Sequence, residues 1–129
     1  MQYHEFVATV RDRGEYATWS EAAHVVTSVL QILAQRITPI EAADLAEQLP
    51  GLLGDVMRQC GRKHPESFGA EEFRKRVAER IGARPATAEW DASAVLSTLA
   101  DAVPDGQLNE LLSQLPSGYA PLFGKPDLT

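Results

Sequence analysis

Two spacings in this chain bring together side chains of the kinds that bind metals or attack carbonyls. Glu21-Ala22-Ala23-His24 puts a carboxylate and an imidazole on one helical face, the Glu-x-x-His arrangement with which helical bundles hold paired metal ions. A complete centre of that type needs a second such pair and two further glutamates. Of His4, His24 and His64, only His24 has a glutamate three residues before it. Cys60-Gly61-Arg62-Lys63-His64 sets a thiol and an imidazole four residues apart, with Arg58, Arg62 and Lys63 placed to lower the thiol pKa. Tetrahedral zinc would require two more sulfur or nitrogen ligands, and the chain has one cysteine. A nucleophilic pair would require an oxyanion loop and an orienting partner, and neither is identifiable. Glycine-rich phosphate loops, Gly-x-Ser-x-Gly elbows and His-Glu-x-x-His patterns do not occur. The ordinary reading is that Glu21 caps a helix, His24 sits on a polar or half-buried face, and Cys60 ends a helix beside a solvated basic loop. No catalytic, cofactor-binding or metal-binding residue is assigned, no cofactor is expected, and the sequence leans away from an enzyme.

Charge is the stronger anomaly. Between residues 58 and 84, Arg58, Arg62, Lys63, Arg74, Lys75, Arg76, Arg80 and Arg84 face four glutamates, a local balance of +4 that leaves −10 for the rest of a chain whose total is −6. Such a basic band in an acidic surround can steer an acidic partner or a second copy of the chain, and it is the expected polar interaction surface. The plainer account is a solvated, salt-bridged helix face over Glu71 to Ile81. Nucleic acid is disfavoured as a partner. The helices that would read a groove, 39 to 48 and 105 to 114, carry Glu41, Asp44, Glu47 and Glu110 with no lysine or arginine, and phosphate would be repelled.

The elements that must position these residues are helices. Ala22, Val25, Val26, Val29, Leu30, Leu33 and Ile37 recur at spacings of three and four, as do Ala88, Ala92, Val95, Leu96, Leu99 and Val103. Thr18 with Glu21 and Thr38 with Glu41 have capping-box spacing, Pro39 suits a first helical position, and Asp105 is the expected cap of a later helix. Leu49-Pro50 and Leu115-Pro116 each end a helix, because the residue before proline is pushed out of helical geometry. A short apolar element follows each: Leu52, Leu53, Val56 and Met57 in one place, Tyr119, Leu122 and Phe123 in the other. With 129 residues, 44% of them hydrophobic, the chain is long enough for a single domain with its own core. No apolar run suits a membrane span or secretory signal, and one cysteine fits a reducing compartment, so a cytoplasmic protein without membrane association is expected.

The chain is also written twice. Val29-Leu30, Leu33, Ile37, Leu45 and Gln48-Leu49-Pro50 return as Val95-Leu96, Leu99, Val103, Leu111 and Gln114-Leu115-Pro116, all offset by 66 positions. Phe6 and Val10 return as Phe73 and Val77 at an offset of 67, so one residue has been gained or lost in the turn between. The prediction is an all-α fold of two tandem repeats, about 3–60 and 68–124, joined by a connector at about 61–67. Each has three principal helices and a short fourth, and the repeats pack around one shared core with pseudo-twofold symmetry. Residues 124–129 read as a loose tail.

The order Phe73, Val77-Ala78-Glu79-Arg80, Ala88, Val95-Leu96, Leu99, Leu111, Gln114-Leu115-Pro116 and Leu122-Phe123 resembles the bacterial family catalogued as domain of unknown function 2267. The first half carries a looser version, with Arg11-Asp12-Arg13 where the second has Ala78-Glu79-Arg80. The resemblance implies an all-helical, internally duplicated protein and supplies no activity or catalytic residue. The function expected is a non-enzymatic protein-interaction or regulatory module, whose partner is an unidentified protein or a second copy of the chain. The alternative is a small-molecule-binding protein or enzyme with its site between the repeats, using a carboxylate such as Glu41, Asp44 or Glu47. Trp19 and Trp90 do not coincide under the offset; each is expected in the core near the start of its helix.

Overall fold

Capping chemistry sets where the helices begin. The Thr38 hydroxyl accepts a hydrogen bond from the Glu41 amide at 3.2 Å, and the Glu41 carboxylate accepts one from the Thr38 amide at 2.9 Å, a complete capping box. At Thr18 only half of the device forms: its hydroxyl accepts from the Glu21 amide at 3.1 Å, and the Glu21 carboxylate turns elsewhere. In this computed structural model, which describes residues 1–125, the described residues form eight α-helices and no strand. They are α1 (Tyr3–Gly14), α2 (Trp19–Arg36), α3 (Pro39–Gln48), α4 (Gly51–Cys60), α5 (Ala70–Ile81), α6 (Pro85–Ala102), α7 (Asp105–Gln114) and α8 (Tyr119–Leu122). Residues 126–129 of the expected tail lie outside the described residues.

Two expectations are corrected. Asp105 is the first residue of α7 rather than its cap; Pro104 holds the cap position, and Asp105 places its charge at the positive end of the helix. The element after Leu49-Pro50 is a full ten-residue helix, whereas α8 is the four-residue turn expected of a short fourth element. Both leucines before proline, Leu49 and Leu115, take extended backbone and end their helices.

The apolar stripes read from the sequence are buried. Ala22, Val25, Val26, Val29, Leu30 and Leu33 on α2, and Ala88, Ala92, Val95, Leu96 and Leu99 on α6, are each at most 2% exposed. One continuous cluster of buried side chains takes in residues from every helix. The two longest helices, α2 and α6, are its axis: α2 packs against α1, α4, α5 and α6, and α6 against α1, α2, α5 and α8. Thus α1 lies across both long helices, and so does α5. Arg13 at the end of α1 donates to Ser97 of α6 at 3.0 Å and pairs with Asp101, while Arg80 at the end of α5 donates to Gln31 of α2 at 2.6 Å. Helices α3 and α4 approach so closely at Gly54 that a Cβ there would sit 2.8 Å from the Ala46 carbonyl oxygen.

The segment between α4 and α5 is anchored at its far end. Phe68 is buried, and its carbonyl accepts from Arg36 Nε at 2.7 Å and from the Tyr119 hydroxyl at 2.8 Å. The Arg36 guanidinium has no carboxylate partner among the described residues. The Phe68 and Tyr119 rings lie under it at 5.7 and 5.6 Å, and it ends α2, where the helix dipole favours a cation. Arg76 covers the Phe68 ring at 4.0 Å and is held there by Glu66 and Glu72. No helix among the described residues is long and apolar enough to cross a membrane.

Candidate functional site

Two of the clefts among the described residues gather polar side chains from both halves of the sequence around buried groups. The first, of about 200 Å³, lies between α3 and α7. Leu45 and Leu111, both buried, form an apolar floor, while Glu41, Asp44 and Glu110 supply carboxylates and Ile40, 75% exposed, stands on its margin. Helical spacing puts positions 41, 44 and 45 on one face of α3, and 107, 110, 111 and 114 on one face of α7. Two atoms in this groove are shut off from solvent and lack a hydrogen-bond partner: Glu41 Oε2 and Gln107 Nε2. The first oxygen of Glu41 is committed to the cap, and the second is left over. Three carboxylates stand here, and no described cation pairs with any of them. The groove therefore offers a negative rim over an apolar floor, suited to a side chain with an aliphatic stem and a cationic head.

The second cleft, of about 470 Å³, opens between the α1–α2 turn, the α5–α6 turn and the start of α6. Its chemistry centres on Asp91, a carboxylate only 3% exposed. The Tyr16 hydroxyl donates to Asp91 Oδ1 at 2.5 Å. Burial pushes the Asp91 carboxyl above the usual carboxylate range; the Tyr16 hydrogen bond opposes this, and the negative Glu21 adds to it. Burial and the Asp91 charge raise the Tyr16 phenol as well. Trp90 is half exposed and donates its indole N–H to the Gly14 carbonyl at 3.0 Å. A Cβ at Gly14 would fall 2.0 Å from the Tyr16 ring, so a larger residue there would push the ring away from Asp91.

The residues singled out from sequence are dispersed. Glu41 and Asp44 enter the first groove, and Glu47 does not line it. Glu21 and His24 line the second cleft, where His24 is exposed. Cys60 is half-buried at the end of α4, and His64 is exposed beyond it. Among the described residues no three His, Cys, Asp or Glu side chains are arranged to hold a metal ion. The basic band is spread over α4, the connector, α5 and the turn after it. Arg58 pairs with Asp55, Arg62 with Glu66, and Arg76 with both Glu66 and Glu72, while Lys63, Arg74, Lys75 and Arg84 form no ion pair among the described residues. The hydrogen bond from Arg76 holds the Glu66 carboxyl below its usual range.

Sequence reasoning missed Tyr16 and Asp91 and placed Trp90 in the core, where it is not. The signals were present. Asp91 falls three residues after Ala88 and four before Val95, an acid on the apolar stripe, whereas Trp90 lies two residues from Ala88 and so about 200° around the helix. Trp19 is half-buried and stacks on His4 at 5.0 Å.

The described residues build an all-helical protein. The chain belongs to the family described as uncharacterized conserved protein (DUF2267), whose model matches residues 3–122. No curated protein matches the chain.

Proposed function

We propose that the chain consists of two tandem helical repeats sharing one core, and that it acts as a non-enzymatic cytoplasmic interaction module. Its α3–α7 groove receives a lysine- or arginine-bearing amphipathic segment of a partner protein. The duplication is supported by helix lengths of 12, 18 and 10 residues that recur in order, and by the Arg13–Ser97 and Arg80–Gln31 hydrogen bonds. Their arginines stand 67 positions apart and their acceptors 66, the offsets of the sequence repeat. The observation that carries the docking reading is the groove's lining: Glu41 with Gln107, Asp44 with Glu110, and Leu45 with Leu111 occupy equivalent positions, so both halves contribute floor and charge to one feature.

The unneutralised carboxylates favour a basic occupant, and the volume suits one or two anchoring side chains rather than a whole helix. A synthetic amphipathic helix of leucine and lysine should bind in fluorescence anisotropy, weaken as salt is added, and lose about tenfold in affinity to Asp44→Asn/Glu110→Gln. Equal binding of the same peptide with glutamate in place of lysine would overturn the reading. So would a chain that proves to be a salt-sensitive dimer through Arg58, Arg62, Lys63, Arg74, Lys75, Arg76, Arg80 and Arg84, with its groove covered by the second copy.

A further inference from the structure

Asp91 is the least expected residue of the core. Position 91 corresponds, 66 residues on, to Val25, and both side chains line the same cleft. Where one half places a valine, which the stripe of α2 and α6 calls for, the other places a carboxylate that burial disfavours. The neighbouring pairs are also unlike, with the more polar member in the first half: Tyr16 corresponds to Ala83, Glu21 to Thr87, and His24 to Trp90, all lining the same cleft. Packing alone is satisfied by the apolar or small member of these pairs, so the cost of the polar members calls for another account.

Asp91 is more than nine-tenths buried yet lines the cavity; the Tyr16 hydroxyl is its one hydrogen-bond donor among the described residues, and no described cation pairs with it. Glu21 stands close enough to disfavour its charge further. Trp90 is fixed along one edge by its bond to Gly14, which leaves half of the side chain exposed beside the cavity. Val25 and Ile81 supply apolar wall. A carboxylate awaiting a counter-charge, an aromatic ring and an apolar wall, in a space of about 470 Å³, are together the requirements of an organic ammonium ion. We propose that this cleft is a binding site for a protonated amine carrying a short apolar tail, with the ammonium group on Asp91 and Glu21 and the tail against Trp90. The site is separate from the α3–α7 groove and stands or falls independently of it; only the pairwise comparisons of positions 16, 21, 24 and 25 with 83, 87, 90 and 91 lean on the repeat.

The test is isothermal titration calorimetry of the full chain with n-hexylamine hydrochloride, against 1-hexanol as the neutral isostere. Nα-acetyl-lysine methylamide serves as a third probe, to separate a free amine from a lysine side chain. Hexylamine should bind with an affinity measurable below about 10 mM, at least tenfold better than hexanol. If the lysine derivative binds more tightly than hexylamine, the occupant is a peptide lysine rather than a free amine, and the proposal of a small-molecule site is overturned. Asp91→Asn keeps an acceptor for Tyr16 and should cost about tenfold. Trp90→Leu, at a half-exposed position, should cost about fivefold through the lost contact of the tail with the indole ring. Asp44→Asn/Glu110→Gln should leave hexylamine binding unchanged. Hexylamine that fails to bind, hexanol that binds equally, or Trp90→Leu and Asp91→Asn proteins that both bind like the parent would each overturn the assignment.

Discussion

Tyr119 ties three segments together through one hydroxyl. Its ring packs edge-on to Phe73 at 5.5 Å and its O–H reaches the Phe68 carbonyl, which Arg36 also serves. Burial pushes the phenol up to about 12, with the Arg36 charge opposing the shift. Because the folded value lies above the unfolded value of 10.0, the neutral phenol contributes stability that is complete below pH 10 and is lost as pH rises through about 12. Tyr119→Phe should cost about 1 kcal/mol at neutral pH, since Arg36 still satisfies the carbonyl, and should flatten the alkaline decline in denaturation midpoint. An alkaline profile identical to the parent would show that Tyr119 does not titrate with unfolding. None of this cluster was legible in the sequence. Tyr119 and Phe73 were recognisable as apolar, but the carbonyl that unites Arg36 with Tyr119 belongs to Phe68, just past the segment that reads as connector. Trp90 shows the opposite failure: adjacency to alanines suggested a core residue, while its angle around α6 turned it outward.

Helix ends show what local chemistry decides and what packing decides. The α1 helix terminates at Glu15 with φ 55, the protein's one described non-glycine residue with positive φ, and α5 terminates at Gly82 with φ 84. These positions are 67 apart, the offset of the first helices. Left-handed backbone costs a side chain about 1 kcal/mol that glycine does not incur, so Glu15→Gly should raise the unfolding free energy read from chemical denaturation by up to about that amount. A loss of stability would mean that Glu15 makes a compensating contact in the cleft it borders. Boundaries governed by proline or a capping threonine, such as 39–48, could be read in advance because the responsible atoms lie within three residues of each other. Pro104 took the cap role expected of Asp105, since a helix can start without a side-chain cap when φ is already restricted. The length of α4 was not legible. Gly51 and Gly54 are poor helix formers, and what holds them helical is the close approach of α4 to α3 and its packing on α2.

Cross-packing is the physical consequence of the way α1 and α5 lie. Neither helix rests on its own long neighbour alone: α1 touches α2 and α6, and α5 touches α6 and α2. Pulling the first half from the second would strip the apolar faces of α2 and α6 together, and with them the seats of Phe6 and Phe73, both fully buried. Neither half should then fold alone, because each would expose the stripe that the other covers. Unfolding should accordingly be a single transition in which both halves are lost at once. Leu30 and Leu96 are equivalent under the 66-residue offset and are both inaccessible to solvent. Leu30→Ala and Leu96→Ala should therefore each cost about 2–5 kcal/mol and lower one common midpoint, with the slope on denaturant concentration preserved. Helix content followed by circular dichroism and the environment of Trp19 and Trp90 followed by fluorescence should report the same curve in both variants. If Leu30→Ala or Leu96→Ala showed two transitions, or fluorescence and circular dichroism curves that disagree, the two halves would be independent units and the shared core would be refuted.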